Sequence, residues 1–435
     1  MPAFIYEKPR QTEIRESVDV VIAGSGPAGI GAAVAAARCG VKTLLVERLG
    51  FPGGMLTAGG VRNIRTFTDG TGQAVIRGIP YEFVDYLKKN QAARNCQEKD
   101  AYIQQNPELT RYFAQEFLLQ AGVKILFHAL VVEVLKKGEK VSGVIIESKS
   151  GRQAIPAKVV VDATGDGDIC RKAGVRMRKG PELMPMTLTF VLENVTAWPH
   201  VRTEEIYQAF RKNLKNWPIP NHGLALFALP EKGCVYANVT RIFGDASKLE
   251  DLTRGEIEGR RQVMKALDFY RKYLPGFQKA RLKSLGIEVG TRESYRLAGR
   301  YTLTRKDVLS GRDFADNIAR GSYGIDIHDS HGPAAVMIKL SPGTSYGIPY
   351  RCLLPEKIEN LLVAGRCLSA SRQALGSCRV MAICMATGQA AGVAAALAVK
   401  KRVLPSSLKI KEIQHCLISQ GAILWKNQLD NKGKE

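Results

Sequence analysis

A strand, a glycine turn and a helix follow one another near the start of the chain, and this succession limits the possible folds most. The apolar run from Val18 to Ile22 predicts a buried strand, and Gly24, Gly26 and Gly29 lead from it into an alanine-rich helix. The first glycine permits a tight turn, the second lets a pyrophosphate approach the backbone, and the third allows close helix–strand packing. The helix N-terminus attracts phosphates through free N–H groups and its dipole.

A second strand and an acidic residue complete this unit. Gly40 ends the helix, the segment Val41–Val46 predicts a strand, and Glu47 stands at the strand's tip. A carboxylate roughly twenty residues beyond the glycines accepts hydrogen bonds from an adenosine ribose. An ordinary glycine-rich turn would leave Glu47 unexplained, so the sequence predicts a dinucleotide-binding domain.

Three later segments bring glycines back to the same site. Gly50–Thr57 is too glycine-rich for a helix and suits a loop along the cofactor. A strand, Lys158–Val161, runs into Asp162–Asp168, and another strand-to-turn segment, Asn360–Arg366, precedes the small-residue stretch Ala374–Gly392. The carboxylates of Asp162–Asp168 do not indicate a metal loop, because the strand before them and the following Ala-Thr-Gly favour a cofactor turn. One of these Asp residues is expected to cap a helix that begins near Ile169.

Together these segments resemble the FAD-dependent oxidoreductases of the glutathione-reductase-like superfold, which are flavoproteins with two dinucleotide-binding domains. The resemblance continues through residues 290–304, 313–320, 322–329 and 346–355 and covers most of the chain from Val18 to about Leu424. It implies a noncovalently bound FAD and an oxidoreductase reaction, with substrates that differ among members. The residues expected at FAD are Gly24, Gly26, Pro27, Ala28, Gly29, Glu47, Arg48, Gly54, Met55, Val131, Ala163, Thr164, Gly165, Asp168, Gly365, Arg366, Ser377, Arg379 and Gly388.

The predicted fold class is α/β. A Rossmann-like FAD-binding domain, with a parallel sheet and a small antiparallel meander, is interrupted by a substrate domain of antiparallel sheet plus helices. The meander is expected from three alternating segments, Val123–Phe127, Val131–Leu135 and Val141–Ser148. The expected divisions are an N-terminal extension (1–17), the FAD-binding domain (18–180 and 346–400), the substrate domain (181–345), and a C-terminal helix and tail (401–435).

Charge and cysteine content bear on partners and location. The chain has 63 basic and 41 acidic residues and a net charge of +22, which attracts anionic ligands. The basic residues are spread along the chain without an RNA-binding signature, so a solvated basic surface is favoured and nucleic acid is an unlikely partner. Nine cysteines without a C-x-x-C pair, and an N-terminus without an apolar signal, predict a cytoplasmic protein with reduced thiols.

One apolar stretch, Val380–Val399, is long enough to span a bilayer. Thr387, Gly388, Gln389 and Gly392 interrupt it, and alanine supplies much of its apolar character. A helix of small residues packs closely against a sheet and a cofactor. We therefore predict a buried helix rather than a membrane span.

Two groups of residues are candidates for the chemistry that accompanies flavin. His328 lies between Asp326 and Asp329, which could orient its imidazole for proton transfer; His331 is nearby, and this loop is a weak metal signal. Arg292 and Arg296 would lie on one face of a helix and clamp a carboxylate or phosphate.

An interdomain ion-pair network with Glu293 is an equally good account of these two arginines. Tyr323 is a further catalytic candidate, and Tyr346, Tyr350 and Arg351 are candidates for lining the same cleft or for plain packing.

The sequence therefore predicts an FAD-dependent oxidoreductase that transfers hydride between flavin and a small polar substrate, and it leaves open whether that substrate is anionic. A pyridine-nucleotide–disulfide reductase is disfavoured, because a second glycine fingerprint and a redox-active C-x-x-C pair are missing from the sequence. A flavin monooxygenase and a tRNA-modifying flavoprotein stay open as alternatives. The substrate, the reaction direction, the electron partner and the oligomeric state are not predicted.

Overall fold

The structure is a computed structural model that describes residue 5 and residues 9–96, 102–221 and 223–428. Predictions for residues 1–4, 6–8 and 429–435 lie outside the described residues. The helices are α1 (Pro27–Arg38), α2 (Ile79–Lys89), α3 (Pro107–Gln120), α4 (Asp168–Lys172), α5 (Glu204–Lys212), α6 (Leu249–Tyr273), α7 (Arg305–Leu309), α8 (Arg372–Cys378), α9 (Met381–Lys401) and α10 (Ile410–Ser419).

The strands are β1 (Glu13–Ile14), β2 (Val18–Ala23), β3 (Thr43–Val46), β4 (Asn63–Ile64), β5 (Ala93–Asn95), β6 (Ile103–Gln105), β7 (Lys124–Leu126), β8 (Leu130–Lys137), β9 (Lys140–Ser148), β10 (Gly151–Asp162), β11 (Met177–Arg178), β12 (Phe190–Glu193), β13 (Leu226–Ala228), β14 (Val235–Ala237), β15 (Arg281–Leu285), β16 (Arg296–Leu297), β17 (Asn317–Gly321), β18 (Ile325–His328), β19 (Ala335–Ile338), β20 (Tyr346–Pro349) and β21 (Leu361–Val363).

The largest sheet has the predicted dinucleotide unit at its centre. Its strand order is β7-β3-β2-β10-β9-β8, and β1 and β21 also pair with β10. The strands β7, β3, β2 and β21 run parallel to one another and to the C-terminal half of β10. Helices cover these parallel strands, so Val20, Val21 and Ile22 are fully buried as a continuous apolar run. The predicted Rossmann-like α/β fold is confirmed.

Strand β10 belongs to two kinds of sheet at once. Its residues 151–156 pair antiparallel with β9, and its residues 157–162 pair parallel with β2. The meander is therefore β8-β9-β10, and the prediction that Val123–Phe127 opens it was wrong. Helix α3 returns the chain to the parallel edge, where β7 pairs with β3. Alternation of apolar residues within three strand residues cannot distinguish these two sheets.

Helices α1 and α9 pack with their backbones close together. A Cβ atom on Gly388 would lie 2.0 Å from the carbonyl oxygen of Ala28, and one on Gly392 would lie 2.1 Å from that of Ala32. Among the described residues, α9 is the one helix long and apolar enough to cross a membrane, yet 83% of its most apolar stretch is buried inside the protein. The prediction of a buried core helix is confirmed.

A second sheet with its own core follows β11. Its antiparallel order is β13-β14-β12-β15. Phe210 of α5, Phe269 and Tyr270 of α6, and Trp217 from the segment after α5 belong to the core that packs on it. Its strands are three to five residues long, and α6 extends from Leu249 to Tyr273 beside them. An antiparallel sheet with helices was expected for the inserted domain, and this sheet has that composition. The boundaries of the domain stay a prediction.

Candidate functional site

The N-terminus of α1 faces open space. Gly26 is its N-cap residue and Pro27 occupies its first turn, which contains no acidic residue and no side-chain cap. A Cβ atom on Gly26 would meet nothing within 4 Å, whereas one on Gly29 would lie 1.8 Å from the carbonyl oxygen of Gly24. The fold therefore needs Gly29, while the space before Gly26 is left free beside uncapped N–H groups. This cradle suits a pyrophosphate.

Three loops converge on this helix end, as the spacing of glycines predicted. A Cβ atom on Gly54 would lie 2.9 Å from the Cα atom of Gly26, and one on Gly365 would lie 2.7 Å from the Cβ atom of Ala28. A Cβ atom on Gly24 would lie 2.7 Å from the carbonyl oxygen of Ala163. Segments far apart in sequence thus form one surface that fits the cofactor implied by the family resemblance.

Glu47 is held firmly at the end of β3. Its Oε2 atom accepts hydrogen bonds from the backbone N–H of Ser25 at 2.9 Å and from the Ser25 hydroxyl at 2.6 Å. Its Oε1 atom accepts one from the backbone N–H of Leu49 at 2.9 Å. A carboxylate has about four acceptor positions, so a ribose hydroxyl can still bind to it. Ser25 holds Glu47 at this site, and the glycine pattern did not identify it.

The turn after β10 is ordered by a buried carboxylate. Asp162 accepts hydrogen bonds from the Thr164 hydroxyl at 2.7 Å and from the backbone N–H of Cys170 at 2.9 Å. The N-cap residue of α4 is Gly167, so the predicted cap comes from outside the helix, where Asp162 accepts from an N–H of the first turn. At the same helix end, burial and the neighbouring Asp166 raise the pKa of Asp168 to about 6.

The other residues predicted at FAD divide into two groups. Arg48 pairs with Glu288, and Arg366 pairs with Asp166 at 2.8 Å beside Gly165. Both ion pairs lie beside the cradle. Val131 lies near the start of β8, next to the loop that follows Glu47.

Ser377 and Arg379 lie in a different cluster. The Ser377 hydroxyl donates to the Tyr323 carbonyl and contacts the Tyr346 hydroxyl at 2.6 Å. Arg379 pairs with Asp326 at 3.3 Å. These two side chains are engaged by protein groups, and their role at FAD stays a prediction.

The loop at Gly54 connects the cradle to the second sheet. A Cβ atom on Gly290 would lie 2.5 Å from the Cε atom of Met55, so Met55 packs on the Gly290 backbone. Gly290 and Thr187 exchange two backbone hydrogen bonds, of 2.7 and 3.0 Å. Arg292 in turn donates to the Thr187 hydroxyl and to the Pro185 carbonyl, the latter at 2.7 Å. A cluster of charged residues around Arg292 thus adjoins the cofactor loop.

Arg292 is half-buried, and no carboxylate of the described residues lies within ion-pair distance of its guanidinium. Burial, together with the nearby cations Arg379 and Arg241, lowers its pKa to about 10, and Asp326 only partly opposes this. The prediction that Arg292 and Arg296 share a helix face was wrong, because Arg292 lies in an irregular segment and Arg296 in β16. The sequence of residues 290–304 contains no signal that predicts the two-residue strand β16.

Arg296 has the ion-pair role that was the alternative. It lies 2.7 Å from the buried Glu293, which also pairs with Arg372 at 3.2 Å. Arg351 pairs with Asp316 at 2.9 Å, away from the cluster at Arg292.

Tyr346 and Tyr350 are buried packing residues with partners for their hydroxyls. Tyr346 contacts the Ser377 hydroxyl, and Tyr350 donates to the Pro405 carbonyl at 2.9 Å. They pack in the main core rather than lining a cleft.

His328 is enclosed by charged partners. Arg241 donates to its Nδ1 atom at 3.1 Å, so the neutral ring carries its proton on Nε2, which lies 3.4 Å from Asp326. Burial and the positive charge of Arg292 lower the pKa of His328 to about 4. The imidazole is therefore neutral near pH 7 and presents a donor. The sequence did not identify Arg241 as a site residue, because it follows a short strand and belongs to no recognisable motif.

Tyr323 and Asp326 complete the cluster. Burial raises the pKa of Tyr323, which keeps the phenol protonated, and its hydroxyl has no hydrogen-bond partner among the described residues. Burial alone would raise the pKa of Asp326, but the contact with His328 and the charge of Arg379 hold it well below its usual range. His331 is exposed and lies 3.8 Å from Glu182. Within the described residues, no group of three His, Cys, Asp or Glu could hold a metal ion.

Comparisons with known proteins agree with this geometry. A model of FAD dependent oxidoreductases matches residues 19–417. Thiamine thiazole synthase of Methanococcus vannielii is 35% identical over 160 residues, which are 34% of this chain and 56% of that protein. The same enzyme of Sulfolobus acidocaldarius is 33% identical over 179 residues, which are 38% of this chain and 61% of that protein. The matches thus span little more than half the length of these curated relatives.

Solved structures agree on the fold. A triple mutant of the flavin-dependent brominase Bmp2 has a TM-score of 0.51 and 14% identity, covering 94% of this chain and 85% of that chain. At this identity the likeness shows the fold alone. The family match covers nearly the whole chain: this protein belongs to the FAD-dependent oxidoreductases, it is an enzyme, and FAD is its cofactor.

Proposed function

We propose that the enzyme transfers hydride between noncovalently bound FAD and a small polar substrate that carries a carboxylate. The phosphates would lie before Gly26, the ribose against Glu47, and the substrate beside Arg292. Bound FAD supplies the redox chemistry, and the protein binds and orients the substrate and manages the proton. The nine cysteines, none of them in a disulfide, support placing the reaction in the cytoplasm.

An excess of positive charge beside the cofactor loop carries this proposal. The cations Arg241, Arg292 and Arg379, together with Arg65, act on the same few groups, while Asp326 is the half-buried carboxylate among them. Cations placed together in a partly buried site repel one another unless an anion joins them. Among the described residues, only one nitrogen of the Arg292 guanidinium has an acceptor, and the donors that are left suit a bidentate contact with a substrate carboxylate.

The neutral groups of this cluster are donors rather than bases. His328 offers Nε2–H, Tyr323 offers its hydroxyl, and the depressed pKa of Asp326 makes that carboxylate a weak base. When a carbonyl carbon receives hydride, such groups stabilise the negative charge that develops on its oxygen, and the Tyr323 hydroxyl can give that oxygen its proton; when a hydroxyl-bearing carbon gives up hydride, the hydroxyl proton has to leave along the same contact. We therefore assign His328 and Tyr323 to the reacting oxygen, with His328 acting as a hydrogen-bond donor rather than as a general base.

Two other functions fit less well. A monooxygenase would need a pyridine nucleotide and oxygen in every turnover, and no observation on this chain favours that requirement. An enzyme acting on RNA would need a basic surface that follows a backbone, whereas the cations Arg241, Arg292 and Arg379 converge on one small, partly buried site. The thiamine thiazole synthases match only about a third of this chain, so their activity is not carried over.

Anaerobic flavin reduction tests the proposal. The oxidised holoenzyme is mixed with small hydroxy acids and, separately, with the methyl ester of each acid, and the flavin absorbance is followed. We expect the acids to bleach the flavin and the uncharged esters to do so far more weakly. Bleaching that is equal for acid and ester would contradict the carboxylate contact. Flavin reduction only by a pyridine nucleotide, accelerated by an aromatic substrate, would favour the monooxygenase instead.

A further inference from the structure

Two cysteines that lie 377 positions apart in sequence meet at the C-terminal end of α1. The Sγ atom of Cys39, which caps α1, is 3.7 Å from the Sγ atom of Cys416 on α10. Both residues are half-buried, whereas six of the other seven cysteines are buried. This distance is longer than a disulfide bond of about 2.05 Å, so the two sulfur atoms are neighbours that have to approach each other before a bond forms. This pair is at the opposite end of α1 from the phosphate cradle and is separate from the Arg292 cluster.

The surroundings of the pair favour a reactive thiolate. The Gln420 side-chain amide donates to Cys39 at 3.5 Å and lies 4.0 Å from Cys416. The Nζ atom of Lys400 would be 3.6 Å from a Cβ atom on Gly40, the residue after Cys39. The contact with the Cys39 thiol, and the charge of Lys400, lower the pKa of Cys416 to about 7 although burial opposes the shift. Cationic and donor neighbours of this kind activate cysteines.

We propose that Cys39 and Cys416 are a peroxide-oxidisable dithiol that forms a disulfide between α1 and α10. The Cys416 thiolate attacks one oxygen of hydrogen peroxide, and the O–O bond breaks. Hydroxide is the leaving group, and Cys416 becomes a sulfenic acid. The Cys39 thiol then attacks that sulfur, the S–O bond breaks, and water is released. Each cycle oxidises two thiols to one disulfide and reduces one peroxide to two waters.

The disulfide would fasten the C-terminal helix to the dinucleotide unit. Helix α10 otherwise packs on α9 and β17 through apolar contacts such as those of Ile413 and Leu417. A bond between residues this distant restricts the unfolded chain strongly, so the oxidised protein should resist unfolding better than the reduced one. The sequence could not suggest this, because no spacing rule relates residues on two different helices.

Peptide mapping of the peroxide-treated holoenzyme tests the proposal. The reduced protein is treated with hydrogen peroxide, free thiols are alkylated, and the protein is digested with trypsin. We expect peptide 39–42 to be joined to peptide 412–426, two hydrogens lighter than the sum, and to separate again with dithiothreitol. The melting temperature should rise by several degrees on oxidation.

Matched variants make the result specific. Cys39→Ser should abolish the cross-link and the thermal shift, and a sulfenic acid on Cys416 should then be trapped by dimedone. Cys96→Ser, at the remaining half-buried cysteine, should leave both intact. Retained flavin absorbance shows that each variant is folded, and Cys416→Ser replaces Cys39→Ser if that variant does not fold. Alkylation of both thiols in the peroxide-treated wild type, or a cross-link that forms only after denaturation, would overturn the proposal.

Discussion

Replacing Gly26 by valine tests whether this position is required for binding the cofactor or for folding. Gly26 has φ −64° and ψ −176°, which any residue adopts, and a Cβ atom there meets nothing within 4 Å. The apoprotein should therefore fold, and it should even gain about 0.4–1 kcal/mol because the unfolded chain loses freedom. The isopropyl group would nevertheless stand where the pyrophosphate approaches the helix.

The loss of FAD affinity follows from two terms. Overpacking against the phosphates costs about 1–3 kcal/mol. Displacement of the anion from the helix terminus costs about 1–2 kcal/mol more. The sum of about 2–5 kcal/mol corresponds to a Kd that rises roughly 30-fold to several-thousand-fold.

Fluorescence titration of the two apoproteins with FAD measures this change, and thermal unfolding of the same samples tests the fold. Gly29→Ala is the matched control, because its Cβ atom would lie 1.8 Å from the carbonyl oxygen of Gly24 and should destabilise the turn itself. A Gly26→Val protein that binds FAD within about threefold of the wild-type Kd would refute the cradle. An apoprotein of this variant that is unfolded would refute the claim of free space.

Other perturbations test the remaining parts of the site. Acid precipitation of the holoenzyme should release all flavin into the supernatant; flavin that stays with the pellet would reveal a covalent link. Arg292→Lys should raise KM for a carboxylate substrate and leave the flavin spectrum unchanged, because lysine cannot supply the fork geometry, and loss of FAD or of the fold would show that Arg292 is structural. Arg296→Met should instead lower the unfolding free energy by about 3–5 kcal/mol, as it leaves the buried Glu293 short of a partner; unchanged thermal stability would disprove this ion-pair role. His328→Ala should keep FAD and slow substrate-driven flavin reduction by about 10²–10³-fold, and an unchanged rate would remove His328 from the site. Because the folded pKa of His328, about 4, is below its unfolded value of about 6.5, the unfolded state binds more protons between these pH values. The contribution of His328 to the unfolding free energy should therefore fall by about 3 kcal/mol as the pH drops from 7 to 4, and urea titrations should show that His328→Gln removes this contribution whereas the exposed His331→Gln does not.

Much of the fold and of the cofactor half of the site could be predicted from sequence, because local rules determine both. Gly24, Gly26 and Gly29 occupy positions where a backbone or a ligand approaches closely, so their spacing alone predicts the local backbone geometry. Glu47 follows from the length of one helix and one strand. The apolar helix α9 was identified as buried because small residues in it permit contact with another backbone.

The substrate half could not be predicted in the same way, because its contacts join segments without shared periodicity. Arg241 reaches His328 across 87 positions, and Met55 packs on Gly290 across more than two hundred. Arg292 and Arg296 share a sequence block, yet Arg296 is paired with Glu293 whereas Arg292 has no carboxylate partner among the described residues. Only the tertiary structure decides which arginine pairs with a carboxylate.

The most direct test of the account is the flavin reduction rate of wild-type and Arg292→Lys holoenzymes with a hydroxy acid and its methyl ester under anaerobic, single-turnover conditions. The account predicts that the wild type prefers the acid strongly and that the variant loses most of this preference while its flavin spectrum is unchanged. Equal reduction by acid and ester in the wild type, or a preference that survives in Arg292→Lys, would contradict it.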